Sequence, residues 1–176
     1  RENRFIAQDI IKSIHYYTLA AEQNDYNAQS ILGNIFYLGI GVDRDIPKAI
    51  NYYTLAAYQN EPVSLNNLGI IYSEGKDMKR DMNRAIHCFT LSASQNYPMA
   101  LYHLGKIYYD GKSIEQDIYK AINYLTLAAN QNEPHSQNIL GIIYSDGKYI
   151  EKDINKAIHY LTLAANQNEP HSQNIL

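Results

Sequence analysis

Apolar residues recur along this chain with the spacing of a single helix face. In the segment DIPKAINYYTLAAYQ, which begins at Asp45, they recur at i, i+3, i+4, i+7, i+10 and i+11. These positions are Ile46, Ala49, Ile50, Tyr53, Ala56 and Ala57. A half-buried strand would instead alternate apolar and polar residues with a period of two. The pattern therefore predicts an amphipathic α-helix, which we call helix B.

Helix B returns at a fixed interval of 36 residues. The aspartate that precedes each copy is Asp9, Asp45, Asp81, Asp117 or Asp153. The segment LTLAANQNEPHSQNIL even occurs twice without change, at residues 125–140 and 161–176. A period of this length is typical of stacked repeats that share one continuous core. Because an aspartate at a helix start accepts hydrogen bonds from the free N–H groups of the first turn, we expect each one to open and cap helix B.

A second helical pattern, helix A, lies between successive copies of helix B; one example is VSLNNLGIIYSEG from Val63. Each helix B is followed by an asparagine, at Asn24, Asn60, Asn96, Asn132 or Asn168, and three of these precede Glu-Pro. Asparagine tolerates the left-handed conformation that ends a helix, and proline fits the first turn of the next one. The connection is therefore short, and the two helices are expected to form an antiparallel hairpin.

Two sets of glycines recur in helix A. Gly33, Gly69, Gly105 and Gly141 lie inside the helix, where glycine costs about 0.5–1 kcal/mol relative to alanine. We attribute them to close approach of helix B at its small residues Ala49, Ala85, Ala121 and Ala157. The second set, Gly39, Gly75, Gly111 and Gly147, fits a left-handed cap at the end of helix A. The sequence thus predicts an all-α solenoid of stacked helix-turn-helix repeats.

The pattern small-x-x-x-Leu-Gly-x-x-Tyr-x-x-Gly, followed by Asp-x-x-x-Ala-x-x-Tyr-Tyr-x-x-Ala-Ala, resembles the Sel-1-like repeat, a relative of the tetratricopeptide repeat. The resemblance extends from Asp9 to Leu176. It implies a right-handed α-α superhelix and a role as an adaptor that binds other proteins. The expected organisation is a flank at residues 1–8, helix B alone at 9–24, repeats at 25–60, 61–96, 97–132 and 133–168, and a truncated repeat at 169–176.

Composition narrows the class of partner. The net charge of −3 gives no basic surface for a nucleic-acid backbone, and no apolar run is long enough to span a membrane. A single cysteine, Cys88, and the absence of any Asn-x-Ser/Thr site favour a cytoplasmic location. Because the chain lacks an initiator methionine and stops inside a repeat, we expect it to be part of a longer protein.

No catalytic, metal or cofactor site is predicted. His15, His87 and His159 are separated by whole repeats, so we expect them to be solvated rather than to bind zinc. Cys88 stands where other copies have tyrosine, and is interpreted as a small core residue. The glycines lack the Gly-Lys-Ser/Thr of a phosphate-binding loop. We therefore expect a protein that is not an enzyme and needs no cofactor.

The candidate binding surface is the face of helix A that points away from helix B, which lines the concave side of tetratricopeptide-like stacks. Its candidate residues mix amides, aromatic rings and aliphatic groups, with little charge. They are Asn34, Tyr37, Asn66, Ile70, Ser73, Met99, Tyr102, Lys106, Tyr109, His135, Asn138 and Ile142. Apolar side chains on an otherwise solvated face favour a protein or peptide partner, and the single lysine does not favour acidic chain ends.

Two alternatives to a protein-binding scaffold remain open. The segment could be a non-catalytic recruitment or regulatory region of a larger enzyme, such as a protein kinase. It could also be a helical repeat that binds RNA, although its charge and its repeat motif count against this. The convex face of helix B is the other surface on which a partner could bind.

Overall fold

The computed structural model describes residues 2–76 and 78–167, with the backbone alone for residues 2–8. These residues form nine α-helices and contain no strand. The helices are α1 (Glu2–Glu22), α2 (Tyr26–Leu38), α3 (Ile46–Ala57), α4 (Pro62–Glu74), α5 (Met82–Ala93), α6 (Pro98–Asp110), α7 (Ile118–Ala129), α8 (Pro134–Asp146) and α9 (Ile154–Asn166). The odd-numbered helices are helix B and the even-numbered ones are helix A, which confirms the all-α repeat architecture.

Aspartate caps helix B as expected in four of its five copies. The Oδ1 atoms of Asp45, Asp81, Asp117 and Asp153 accept hydrogen bonds at 2.9–3.0 Å from the N–H three residues later. The expectation is wrong for Asp9, because α1 begins at Glu2 and Asp9 lies inside it. The preceding segment contains neither glycine nor proline, so nothing in its sequence stops the helix from extending backwards.

Helix ends follow the asparagine and glycine positions. Asn24, Asn60, Asn96 and Asn132 have φ between 59° and 67°, and the glycines that end helix A have φ between 64° and 71°. After α7, the N–H of Asn132 bonds the carbonyl of Ala129 and the N–H of Glu133 bonds that of Ala128. The left-handed residue thereby satisfies carbonyls that the helix leaves unpaired. Asn168 lies outside the described residues.

The chain divides into two compact units, one ending at Ser92 and the other beginning at Ala93. In the first unit, α2 packs on α3, and α1 and α4 pack beside them. Its core includes Leu32 and Ile35 of α2, Tyr53 of α3 and Leu68 of α4, all nearly inaccessible to solvent. Cys88 of α5 lies in the same core, which confirms its interpretation as a small buried residue.

In the second unit, α6 packs on α7 and α8 on α9, while α7 also packs on α8. Its core contains Leu125 of α7 and Leu140 of α8, both fully buried, and Ile143 of α8. The same hairpin therefore builds both units, since identical spacing produces identical apolar faces.

The internal glycines of helix A are sites of close approach to helix B, as predicted, but their nearest neighbour is a larger residue beside the alanine that the sequence suggested. A Cβ atom built on Gly33 would lie 2.5 Å from the ring of Tyr53, and one on Gly69 would lie 2.6 Å from the ring of Phe89. Each partner is four residues after the recurring alanine, one helical turn further along helix B. The glycine thus makes room for a large side chain, and the alanine is buried next to it.

Candidate protein-binding surface

The candidate residues fall at four positions of helix A, and these positions differ in their exposure to solvent. The first, third and fourth positions are exposed or half-buried in every repeat. The second position contains Ser30, Asn66, Tyr102 and Asn138. Ser30 and Asn138 are both 8% exposed and Asn66 is 3% exposed, so only the ring of Tyr102 is partly accessible there.

Packing between neighbouring A helices contributes to the burial of Ser30. In the first unit, the hydroxyl of Ser64 donates to that of Ser30 at 3.0 Å, which joins α4 to α2. The amides of Asn66 and Asn138 are buried as well, and they are not available to pair with the backbone of a peptide. We call the remaining candidate residues the helix-A face. They are Asn34, Tyr37, Ile70, Ser73, Met99, Tyr102, Lys106, Tyr109, His135 and Ile142.

In the first unit, several polar groups of the helix-A face are already used within the protein. The Oδ1 atom of Asn34 accepts from the hydroxyl of Tyr53 at 2.7 Å and from Nδ2 of Asn67 at 3.2 Å. The hydroxyl of Ser73 donates to the carbonyl of Ile70 at 2.9 Å. This part of the surface therefore offers Ile70 and the half-buried ring of Tyr37 more readily than it offers hydrogen-bonding groups.

The second unit brings three rings together on two A helices. Tyr102 of α6 lies 5.4 Å from His135 of α8 and 5.1 Å from His103, measured between ring centroids. His135 and Tyr102 were candidate residues, whereas His103 was not. Burial, followed by the repulsion of His135 and Lys106, lowers the pKa of His103 to about 4. His103 is therefore neutral near pH 7 and adds an uncharged ring to this cluster.

Tyr109 and Lys106 extend the same surface along α6. Burial, and then the nearby carboxylate of Asp146, raise the pKa of the Tyr109 hydroxyl, so it remains a neutral donor. Lys106 forms an exposed ion pair with Asp110 at 3.2 Å. Met99, at the start of α6, is half-buried. This part of the helix-A face therefore combines Met99, Tyr102, Lys106, Tyr109 and His135, and methionine and tyrosine are enriched in protein interfaces.

The family model of the Sel1 repeat matches five segments, at residues 4–25, 27–61, 62–97, 98–133 and 134–169. The chain belongs to the Sel1 repeat family. Members of this family bind other proteins. No match was found among curated proteins.

Solved structures share this Sel1 fold. A Sel1 repeat protein from Oxalobacter formigenes is 28% identical, with a TM-score of 0.86 over 93% of this chain and 66% of that one. The protein c5321, a protective antigen present in uropathogenic Escherichia coli strains, is 29% identical, with a TM-score of 0.82 over 91% of this chain and 34% of that one. This chain thus spans less than two thirds of either protein. Cysteine rich protein B of Helicobacter pylori, at 24% identity and a TM-score of 0.58, resembles it in fold alone, over 76% of this chain and 96% of that one.

The Sel1 repeats also contain buried polar residues that sequence reasoning missed. Glu61 and Glu133, 9% and 5% exposed, cap α4 and α8 through hydrogen bonds to two backbone N–H groups each. Gln29 and Gln137 are almost fully buried, and their amides donate to the carbonyls of Ala21 and Ala129. The Glu-Pro-x-Ser spacing was the available signal for the glutamate caps, because it places the carboxylate three residues before a helical N–H.

Other candidate chemistry does not assemble in the described part of the chain. His15, His87 and His159 are exposed, which confirms that they are solvated. Among the described residues, no three His, Cys, Asp or Glu side chains are placed to share a metal ion. None of the helices in this described part is both long and apolar enough to cross a bilayer.

Proposed function

We propose that this chain is a non-catalytic scaffold that holds a peptide or protein partner on the helix-A face, chiefly on α6 and α8 of the second unit. The observation that supports this most strongly is the cluster of Tyr102 and His135 on neighbouring helices, 5.4 Å apart. Met99, Lys106 and Tyr109 belong to the same face of α6. Membership of the Sel1 repeat family supports protein binding as the class of function.

The chemistry of the surface favours a partner with apolar or aromatic side chains. Tyrosine rings contribute a large contact area at a low cost in conformational entropy, and their hydroxyls still donate hydrogen bonds. Lys106, already paired with Asp110, adds only one exposed cation. A partner that relied on a run of acidic residues would therefore find little complementary charge.

The experiment is a selection of peptides from a random library against the wild-type chain, followed by titration of the enriched peptides. In the double variant Tyr102→Ala, Tyr109→Ala, we expect binding to weaken about thirtyfold, equivalent to about 2 kcal/mol for a hot-spot pair. Circular dichroism checks that the variant remains folded.

The matched control is the double variant Asn123→Ala, His159→Ala, which changes exposed positions of helix B in the same unit. It should bind the peptides as the wild type does. If the control loses binding while the tyrosine variant retains it, the outer face of helix B is the binding surface. If the library yields no peptide that depends on either pair, the proposed scaffold function is wrong for this unit.

A further inference from the structure

Three repeats contain the same pair of stacked rings, which joins helix A to the following helix B. Phe36 stacks on Tyr52 with ring centroids 5.7 Å apart and planes inclined by 3°. The corresponding values are 5.9 Å and 8° for Tyr108 and Tyr124, and 6.0 Å and 9° for Tyr144 and Tyr160. Near-parallel rings at this separation form a favourable offset stack. The pair is therefore a regular part of this repeat.

The repeat formed by α4 and α5 has only the first of the two rings. Tyr72 of α4 corresponds to Phe36, Tyr108 and Tyr144, but Cys88 of α5 stands where the second tyrosine belongs. The cation on the first ring is nevertheless present, since the guanidinium carbon of Arg84 lies 5.7 Å from the Tyr72 centroid. Lys48, Lys120 and Lys156 occupy that place in the other repeats, alongside the second ring. Arg84 therefore does not exclude a second ring beside Tyr72.

A cavity of about 520 Å³ lies where the ring is missing. Tyr72 and Cys88 line it together with Leu65, Leu68 and Leu91. Leu65 forms one wall of the cavity. The same repeat position is Gln29 in the first repeat, Leu101 in the third and Gln137 in the fourth, so it is apolar in only two of the four repeats. The rim is polar, because the exposed side chains of Asn83 and His87 also border the cavity. An apolar floor with a polar rim is the arrangement of a binding site.

We propose that this cavity receives an aromatic side chain, tyrosine or phenylalanine, from a partner polypeptide, whose ring replaces the one that Cys88 omits. The three complete repeats specify the occupant, because each holds a phenol ring at this place within an otherwise equivalent hairpin. The volume exceeds that of one ring, which leaves room for the neighbouring residues of a chain and lies within the range of about 300–1,000 Å³ found for ligand pockets.

Binding at this site is non-covalent. Burial raises the pKa of the Cys88 thiol to about 11, so the thiolate that would attack an electrophile is scarce near pH 7. Cys88 contributes to the site only through its small size, which leaves space for a ring. The site is formed by residues of α3, α4 and α5, none of which belongs to the surface on α6 and α8, and it does not depend on the proposed function of that surface.

The test uses p-cresol, the side-chain analogue of tyrosine, and a short peptide with one central tyrosine, both titrated into the full chain and followed by NMR. We expect both to shift the signals of Leu65, Leu68 and Leu91. Cys88→Tyr fills the cavity with the residue of the other repeats, and should weaken binding of both probes about tenfold or more and raise the thermal midpoint. Cys88→Ala should retain binding.

The matched control is Tyr160→Cys, which removes the second ring from α9 and should create a weaker second site, because Gln137 lines it in place of leucine. Leu65→Gln copies that polar wall and should weaken binding at the native cavity even if Cys88→Tyr fails to fold. Binding of p-cresol without the peptide would mean that the occupant is a small aromatic molecule, and would overturn the proposal. Equal binding of the probes to wild type and Cys88→Tyr, or no binding to wild type, would overturn it as well.

Discussion

A side chain at Gly105 of α6 would meet Leu125 of α7, since a Cβ atom built on the glycine would lie 2.6 Å from Cγ of the leucine and 3.2 Å from its backbone nitrogen. Leu125 is fully buried and sits at the centre of the second unit's core. Neither the leucine branch point nor the backbone can move without disturbing the α6–α7 contact. The missing Cβ thus sets how closely the two helices of the hairpin approach.

Gly105→Ala should therefore destabilise the protein, although alanine is normally the better helix former. Overpacking a close contact costs about 1–3 kcal/mol, which exceeds the helix-propensity gain of about 1 kcal/mol at most. Gly105→Leu should cost more. Urea unfolding measures the change, and Lys106→Ala, at the next and exposed position, is the control with little expected effect. Equal midpoints for Gly105→Ala and Lys106→Ala would show that the contact is not tight.

Glu133 should contribute more to the stability of the protein than an exposed glutamate does. Its carboxylate accepts hydrogen bonds from the N–H groups of His135 at 3.1 Å and Ser136 at 2.6 Å, in a position that is 5% exposed. Glu133→Ala leaves those two groups without their partner inside the protein, and we expect a loss of about 1–2 kcal/mol. The exposed Glu115→Ala serves as the reference. A change no larger than that of Glu115→Ala in urea unfolding would contradict this role of the carboxylate.

The sequence predicted correctly those features that depend on interactions between residues close together in the chain. The left-handed Asn24, Asn60, Asn96 and Asn132 and the capping Asp45 act within one or two turns, so their spacing alone identifies the helix boundaries. It was wrong at Asp9, because a capping residue does not stop a helix when the preceding segment also favours one.

The candidate surface was harder to predict because burial there depends on residues one repeat away. Nothing within α2 marks Ser30 as buried, and its contact with Ser64 joins residues 34 positions apart. The cavity beside Tyr72 was in principle visible, because Cys88 breaks the tyrosine register. A cavity at this place follows only if the tyrosine that Cys88 replaces normally stacks on a ring of helix A, and the stacking is seen in the structure of the other repeats.

Asn132 offers a test of the left-handed cap. Its φ of 63° suits glycine best, asparagine less well and alanine least. We expect Asn132→Ala to lower the free energy of unfolding by about 1 kcal/mol, because alanine pays the larger cost in the left-handed region. Asn132→Gly should leave the free energy of unfolding unchanged or raise it by a few tenths of a kcal/mol, roughly the difference between asparagine and glycine there. Asn130→Ala is the matched control, because Asn130 has an ordinary right-handed φ of −65° two residues earlier. If the two alanine variants unfold at the same urea concentration, the left-handed conformation carries no such cost.

His103 should make the protein sensitive to acid. Its folded pKa of about 4 lies below its ordinary value of 6.5, so between these two values the unfolded chain binds more protons than the folded one. Unfolding is therefore favoured as the pH falls through that window, whereas above it the histidine is neutral in both states and the penalty is absent. The loss accumulates to about 3 kcal/mol at pH 4, since each unit of pKa difference corresponds to about 1.4 kcal/mol.

His103→Ile isolates this contribution, because Ile31 and Ile139 occupy the same position in other repeats and show that the hairpin accommodates isoleucine there. Urea unfolding of both proteins at pH 7 and pH 4.5 should show the wild type losing about 2–3 kcal/mol more than the variant over that interval. All other ionisable groups are the same in both proteins, so the difference between the two proteins removes most of their contribution. A direct NMR titration of the His103 ring should give a midpoint near 4. A midpoint near 6.5, together with equal acid sensitivity of the two proteins, would show that burial does not hold the His103 ring neutral.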